Sequence, residues 1–366
     1  MNQNEIIKIY GTDYKEMTKT LLEQSDLAAE IPSPESRIGL KPNLVTPTPA
    51  DYGATTHPEI VAGIIEYLRE HGFSRMVILE SSWVGDVTTE AFEYCGYNAL
   101  SKKYGVELWD LQKDSSHIAD CAGMQLRICD KVDQIDFLIN VPVLKGHCQT
   151  KITCALKNSK GLIPNSEKRH FHTMGLHKPI AHLGVGIRQD FIVVDHICGD
   201  LDFEEGGNPV VRNCIMAAKD PVLTDALVCR MLQYDVSEVP YVEMAEALGA
   251  GSTDLDHARI HTIGSGQTEE TETLRRHKVC DVQYAVEEVD ACSACYAMLV
   301  PALDRLKQEG LLAGLSEKIA IGQGYRGKKG KLGVGLCTAG FDICIRGCPP
   351  SEEQIYEELM QYIKSR

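Results

Sequence analysis

The stretch FLINVPVLKGH, residues 137–147, shows the pattern on which most of this chain is built. Residues 137–143 form a short, mainly apolar run typical of a buried β-strand, and Lys145 and His147 follow directly. Similar runs alternate with amphipathic stretches along the chain, which favours an α/β fold with a mixed or mostly parallel sheet and flanking helices. The predicted strands are 6–10, 37–40, 76–80, 106–109, 137–143, 191–195 and 215–218.

Capping signals predict three helices in the same region. His57-Pro58-Glu59 begins a helix that ends at Gly72, because proline suits the first turn and glutamate complements the helix dipole. The other two cover 220–233, with Asp220 as its cap, and 240–248.

A change of composition across GSGQTEETETLRRHK, residues 264–278, predicts a link between two domains. We expect an α/β domain over residues 1–265 with a cationic cleft. A smaller α/β, cysteine-rich unit that binds a metal or cluster is expected over residues 266–366. The elements predicted in this unit are strand 282–286, helix 297–312, strand 319–321 and helix 352–363.

The overall composition excludes several classes of protein. A formal net charge of −15 and a pI of about 5.3 argue against binding to duplex nucleic acid, which requires a broad basic surface. The chain shows neither a secretory leader nor an apolar run of membrane-spanning length, so we expect a cytoplasmic protein without membrane association. Fourteen cysteines in such a chain indicate reduced thiols that serve as core residues, catalytic groups or metal ligands.

Residues 145–188, here called the cationic segment, invert this acidic balance. They carry eight lysines or arginines, five histidines and a single acid, Glu167. Converging cations of this kind bind a small anion, although a solvated charged face is the alternative. Histidine, asparagine, glycine and threonine are interleaved here instead of glutamate, which favours a binding site.

Six cysteines lie in the last 87 residues, in the contexts ACSAC, GLCTAG and CIRGCPP. A C-x-x-C turn directs two thiolates to one metal centre, and proline after the last cysteine is typical of ferredoxin cluster motifs. We predict a 4Fe-4S cluster, with zinc as the alternative because thiolates bind both, or else buried and free thiols. The predicted ligands are Cys292, Cys295, Cys337 and Cys348, with Cys344 as a substitute.

Several motifs in fixed order resemble the family catalogued as domain of unknown function 362. The similarity spans roughly residues 37–233 and includes KPNLV (41–45), ATTHPEIV (54–61), LES (79–81), LINVPVLKGH (138–147), ITCALKNSKGLIP (152–164), VDHICG followed by GGNP, and DPVLTDA (220–226). Members of the family are often associated with iron-sulfur clusters, so the resemblance also implies a cluster. This chain lacks the compact ferredoxin run of cysteines, which implies a divergent cluster site.

Polar side chains follow the predicted strands and should meet in a cleft, because open α/β sheets bind ligands at the carboxyl ends of their strands. Thr56 has an alternative role as a helix cap, and Asp195 could orient a histidine or, with Glu204 and Glu205, bind a divalent ion. The predicted catalytic residues are Lys145, His147, Lys157 and His172. The predicted substrate-binding residues are Lys41, Asn43, Thr56, His57, Glu80, Asn158 and Asp195.

These features favour a redox enzyme that passes electrons from the cluster to a small anionic substrate or cofactor. A redox partner protein would supply the electrons to the cluster. One alternative is a proton-transfer enzyme, such as a racemase or isomerase, with Lys145 and His147 as acid and base and a structural metal site. The strand-end lysine and histidine loosely resemble those of the nickel-dependent lactate racemase group. A third reading is a non-enzymatic cluster carrier.

Overall fold

The computed structural model describes residues 1–264, 278–291 and 293–365, with the side chain of Ser293 excepted. The described chain divides into two compact units. The larger unit contains residues 1–146, 152–169 and 177–264, and the smaller contains 147–151, 170–176, 278–291 and 293–365. The domain boundary predicted between residues 265 and 266 lies outside the described residues.

Strands and helices alternate along residues 1–264, as the apolar runs predict. In chain order they are β1 (Glu5–Tyr10), α1 (Tyr14–Ser25), α2 (Leu27–Glu30), β2 (Ile38–Pro42), α3 (Pro58–Glu70), β3 (Met76–Glu80), α4 (Thr88–Tyr94), α5 (Tyr97–Tyr104), β4 (Glu107–Asp110), β5 (Ser116–Cys121), β6 (Met124–Cys129), β7 (Phe137–Val141), β8 (Lys145–His147), β9 (Lys151–Thr153), α6 (Ala155–Asn158), α7 (Asn165–Met174), α8 (His177–Gly186), β10 (Phe191–Asp200), β11 (Pro209–Ala218), α9 (Pro221–Met231), α10 (Pro240–Ala247) and β12 (Arg259–Ile263).

Eight strands form the central sheet of the larger unit, in the order β12-β1-β11-β10-β7-β2-β3-β4. Every neighbouring pair is parallel except the two pairs that β11 makes with β1 and β10. All residues of β2, β3 and β7 are buried, as expected for parallel strands covered on both faces. The predicted mostly parallel sheet with flanking helices is confirmed, and β2, β3 and β7 end at the same edge.

Local chemistry explains several element boundaries. Strand β7 ends at Val141, two residues earlier than predicted, because Pro142 cannot donate a backbone hydrogen bond. The predicted start of α3 at Pro58 is confirmed, as is the cap of α9, where the Asp220 carboxylate accepts from the amides of Val222 and Leu223. Helix α1 was not predicted.

The hairpin of β10 and β11 is longer than its sequence indicates. Each strand has ten residues, whereas only 191–195 and 215–218 were predicted. Residues 196–200, HICGD, show no strand-like alternation, yet all are buried and most pair with β11. Long-range pairing therefore overrides the weak local pattern.

Residues 278–291 and 293–365 contain a second, parallel sheet with the order β13-β14-β15-β16, which confirms a smaller α/β unit. The predicted strand 282–286 is wrong, because these residues are mainly helical and the strand begins at Val286. The elements of these residues are α11 (Lys278–Val282), β13 (Val286–Glu288), α12 (Ser293–Gln308), β14 (Ile319–Ile321), β15 (Leu332–Val334), β16 (Ile343–Ile345) and α13 (Glu352–Lys364).

Among the described residues, no helix is both long and apolar enough to cross a bilayer.

Candidate functional site

A buried ion pair lies at the sheet edge where β2 and β3 end. Lys41 Nζ donates to Glu80 Oε2 over 2.8 Å, and both side chains are almost fully excluded from solvent. The same carboxylate accepts from the backbone amides of Leu44 and Ser81, so it is held rigidly. A Cβ at Gly161 would overlap both members of the pair, so only glycine lets this turn pack against them.

Asn158, the last residue of α6, connects this pair to the neighbouring strand. Its Oδ1 accepts from Lys41 Nζ at 3.3 Å and from Asn43 Nδ2 at 3.0 Å. Its Nδ2 donates to Asn140 Oδ1 in β7 at 2.7 Å and to the Lys41 carbonyl at 3.2 Å. A fully bonded buried amide of this kind fixes the relative positions of the strand ends.

Lys145 is completely buried, and its ammonium group meets three uncharged oxygens. Nζ donates to the carbonyls of Ala54 at 2.6 Å and Glu204 at 2.8 Å, and to Asn43 Oδ1 at 3.3 Å. Burial lowers the pKa of Lys145 to about 7, with further lowering by the charge of Lys157. This lysine can therefore gain or lose a proton near neutral pH.

Lys157 is paired with a carboxylate that reaches it from a loop. Its Nζ donates to Thr153 Oγ1 at 3.1 Å and to Glu204 Oε1. The Lys157 side chain is 2% exposed, whereas that of Glu204 is 25% exposed. Glu204 belongs to the loop 201–208, so this ion pair joins a buried cation to a residue that solvent reaches.

Two more lysines of the cationic segment lie beside these groups. Lys168 Nζ donates to the carbonyl and hydroxyl of Ser81, both at 2.5 Å, and to the Ser82 carbonyl at 2.6 Å. Burial lowers the pKa of Lys168 to about 7 and that of Lys160 to about 8. We call the set the lysine cluster: Lys41, Lys145, Lys157, Lys160 and Lys168.

Thr56 and His57 lie at the start of α3. The Thr56 hydroxyl does not cap the helix, which corrects the alternative role weighed for it: it accepts from the Asn43 amide and donates to the Val141 carbonyl. The backbone amide and Nδ1 of His57 both lie 2.8 Å from Asp195 Oδ2. Burial lowers the pKa of His57, but the charge and hydrogen bond of Asp195 outweigh this effect and raise it. Asp195 thus orients a histidine.

The two predicted catalytic histidines belong to the smaller unit. His147 Nδ1 accepts from the amides of Gln149 and Thr150, each at 3.0 Å, which stabilises a turn and places the proton of the neutral ring on Nε2. The carbonyl of His172 accepts from Gln323 Nε2. Of the four predicted catalytic residues, Lys145 and Lys157 therefore lie together in the larger unit. His147 and His172 belong to the smaller unit.

Of the predicted metal ligands in the smaller unit, Cys295 lies on a helix, and Cys337 and Cys348 lie in two segments that pack against each other. Cys295 is buried in the first turn of α12, and a Cβ at Gly335 would lie 3.1 Å from its Sγ. The Gly335 amide donates to the Ile345 carbonyl, and the Leu336 amide donates to the Gly347 carbonyl. Gly335 precedes Cys337 by two residues and Gly347 precedes Cys348 by one, so glycine backbone brings both segments toward Cys295.

The other two cysteines of the predicted ligand set are Cys344, the substitute, and Cys292. Cys344 Sγ donates to the Gly335 carbonyl at 3.5 Å, and Cys292 lies outside the described residues. Among the residues that are described, no group of three or more metal-binding side chains is assembled. Cysteine thiolates are the donors that iron–sulfur and zinc centres use.

The sequence did not single out Asn140 or Lys168 as members of the site. Asn140 lies inside an apolar strand, where a polar residue is a usable signal because buried amides need partners. Lys168 was noted only as one charge among many in the cationic segment. Its contact with Ser81 joins positions 87 residues apart and has no local sequence signal.

Comparisons with known proteins give one matching family and two similar proteins. The family described as "Domain of unknown function (DUF362)" matches residues 38–230. The thylakoid-associated protein sll1697 of Synechocystis sp. (strain ATCC 27184 / PCC 6803 / Kazusa) is 25% identical over 246 residues, 64% of this chain and 75% of that protein. The lactate racemase apoprotein from Thermoanaerobacterium thermosaccharolyticum aligns with a TM-score of 0.40 and 13% identity, over 65% of this chain and 59% of that one. A likeness at that level carries no argument about activity, and this chain spans less than two thirds of the racemase.

Proposed function

Since this chain belongs to the DUF362 family, whose description names no activity, we propose from its own site that it is a redox enzyme acting on a small anionic substrate. The substrate binds at the lysine cluster of the larger unit. The electrons come from a 4Fe-4S cluster held by Cys292, Cys295, Cys337 and Cys348, with Cys344 as a substitute ligand. A redox partner protein supplies them.

The excess of buried positive charge in the lysine cluster is the observation that carries this proposal. Only two of its members, Lys41 and Lys157, form ion pairs with carboxylates among the described residues. Burying ammonium groups that have no carboxylate partner is costly, which is why the pKa values of Lys145 and Lys168 are lowered. An incoming anion relieves this cost, since it favours the protonated form of each lysine.

The cysteine loops support the electron-transfer part of the proposal. Gly335 allows backbone to lie against the sulfur of Cys295. The amides of Gly335 and Leu336 donate to the carbonyls of Ile345 and Gly347, which holds together the segments that lead to Cys337 and Cys348. A 4Fe-4S cluster bound there would supply single electrons at low potential. Zinc is the alternative occupant, and it would make the unit structural or suit a metal carrier.

A second candidate function rests on Lys145 alone. A buried lysine with a pKa of about 7 is suited to general acid–base catalysis at neutral pH. A proton-transfer enzyme, such as a racemase or isomerase, would use it without any electron donor. Such an enzyme would exchange a substrate C–H proton with deuterium from solvent in the absence of reductant, whereas the redox enzyme would not.

The proposal also covers the partners that the enzyme does not bind and its cellular location. A net charge of −15 supports an enzyme that binds neither nucleic acid nor anionic membrane surfaces. We place it in the cytoplasm, where its fourteen cysteines would remain reduced.

Anaerobic purification tests the redox proposal. We expect a brown protein with about four irons per chain, as ligation by four thiolates implies. Cys295→Ser should lose the iron and colour, while Lys145→Met should retain both. Cys280→Ser is the matched control, because this half-buried cysteine of the same unit lies outside the ligand set. A colourless protein with one zinc per chain would exclude electron transfer by this unit.

A further inference from the structure

We propose that the carboxylate of Glu204 occupies the place of the substrate's own carboxylate, so that the substrate is a small carboxylic acid that displaces the loop 201–208. This inference rests on the proposed function, because it concerns the same anion site. It adds the chemical class of the substrate and names the group that must move before the substrate binds.

Glu204 supplies oxygens to two members of the lysine cluster at once. Its backbone carbonyl accepts from Lys145 Nζ at 2.8 Å, and its side-chain carboxylate accepts from Lys157 Nζ. Lys157 is 2% exposed and Lys145 is fully buried, whereas Glu204, which bonds to both, is 25% exposed. A bound carboxylic acid would offer the same oxygens to the same two lysines.

Comparison with Glu80 shows why Glu204 is the exchangeable carboxylate. Glu80 is 4% exposed, ends a central strand and accepts from the amides of Leu44 and Ser81 as well as from Lys41. It is therefore a permanent part of the site. Glu204, in contrast, is 25% exposed and belongs to a loop, so it can leave the cluster without disturbing the sheet.

The loop 201–208 is held at its base, which confines movement to its tip. Buried Asp200 accepts from the amides of Asp202, Phe203 and Asn208, gathering both ends of the loop. Gly206 and Gly207 adopt φ angles of +81° and +112°, which only glycine adopts readily. Glu204 lies between these fixed points, where small backbone rotations would withdraw its carboxylate from Lys157.

Charge favours a carboxylate over a phosphate as the incoming group. Replacing the Glu204 carboxylate with another carboxylate leaves the charge beside Lys157 unchanged. Inorganic phosphate carries up to two negative charges at neutral pH and would require additional protonation of the cluster. Only a carboxylic acid with a single negative charge therefore replaces the Glu204 carboxylate without changing the charge beside Lys157.

Calorimetric titration of the full chain with acetate, propionate and inorganic phosphate tests the inference. Glu204→Gln preserves the backbone carbonyl at Lys145 but removes the internal competitor. If Glu204 occupies the site for about nine-tenths of the time, acetate and propionate should bind on the order of tenfold more tightly to this variant. Glu205→Gln, in the same loop, removes the same charge but no carboxylate that is bonded to Lys157, so it is the matched control and its gain in affinity should be smaller than that of Glu204→Gln. Lys157→Met should lose binding while retaining its circular dichroism spectrum.

The outcomes separate the inference from the proposed function. Equal binding of the carboxylates to wild type and Glu204→Gln, or weaker binding to the variant, would overturn the role assigned to Glu204 and leave the anion site intact. A gain for phosphate larger than that for the carboxylates would overturn the substrate class. If neither protein binds any probe, the anion site fails, and the proposed function fails with it.

Discussion

Replacing Lys145 with methionine should change how the stability of the protein depends on pH. The pKa of Lys145 is lowered from 10.5 to about 7 by burial. Between these two values the unfolded chain holds a proton that the folded protein has released, so the unfolding free energy rises with pH. Below about pH 7 both states are protonated, and the folded protein bears the full cost of a buried ammonium group.

The size of this effect follows from the two pKa values. Between pH 7 and pH 9, Lys145 should add about 2 kcal/mol to the unfolding free energy, since each unit of pKa difference corresponds to about 1.4 kcal/mol. Methionine is similar in length but does not titrate, so Lys145→Met should lack this gain. The variant also removes the hydrogen bonds that Lys145 donates to Asn43, Ala54 and Glu204, which costs about 1–3 kcal/mol at either pH.

Urea unfolding followed by circular dichroism at pH 7 and pH 9 measures the difference between wild type and variant. We expect this difference to grow by about 2 kcal/mol at the higher pH. Lys178→Met is the control, because Lys178 is exposed and its ammonium group stays hydrated. A difference that is the same at both pH values would refute the reasoning, since Lys145 would then not titrate between them.

Two further predictions concern the supports of the site. Asp195→Asn should destabilise the protein more at pH 6 than at pH 8.5. The raised pKa of His57 gives stability that is present below pH 6.5 and is lost as pH rises through the folded pKa. Equal losses in thermal unfolding at both pH values would contradict the ion pair between His57 and Asp195. Gly161→Ala should cost about 1–3 kcal/mol in urea unfolding, because its methyl group would overlap the Glu80 carboxylate. A Gly161→Ala protein as stable as wild type would contradict this packing.

The central fold could be predicted because its signals are local. Strands such as Met76–Glu80 are continuous apolar runs, and the start of α3 and the cap of α9 are marked by proline and aspartate. Segments whose structure depends on distant partners were missed. Residues 196–200 become strand only by pairing with β11, and the predicted strand 282–286 is mainly helical.

The candidate site was predictable to the extent that its residues follow strands. Lys41, Glu80 and Asn158 were expected to converge because parallel strands end at one edge, and their hydrogen bonds agree with that expectation. Burial could not be predicted in the same way. The solvated face weighed for the cationic segment does not describe Lys145, Lys157 and Lys168, which are all buried.

Composition and local pattern were sufficient to indicate the α/β class, the family resemblance and a concentration of positive charge in an acidic chain. Each of these is a property of residues that are close in sequence. Tertiary structure alone decided which cations meet which oxygens: Lys145 meets the carbonyl of Glu204, Lys168 meets Ser81, and His57 meets Asp195. The physical reason is that a buried charge must find its partners wherever the fold places them, and these partners lie 59, 87 and 138 residues away.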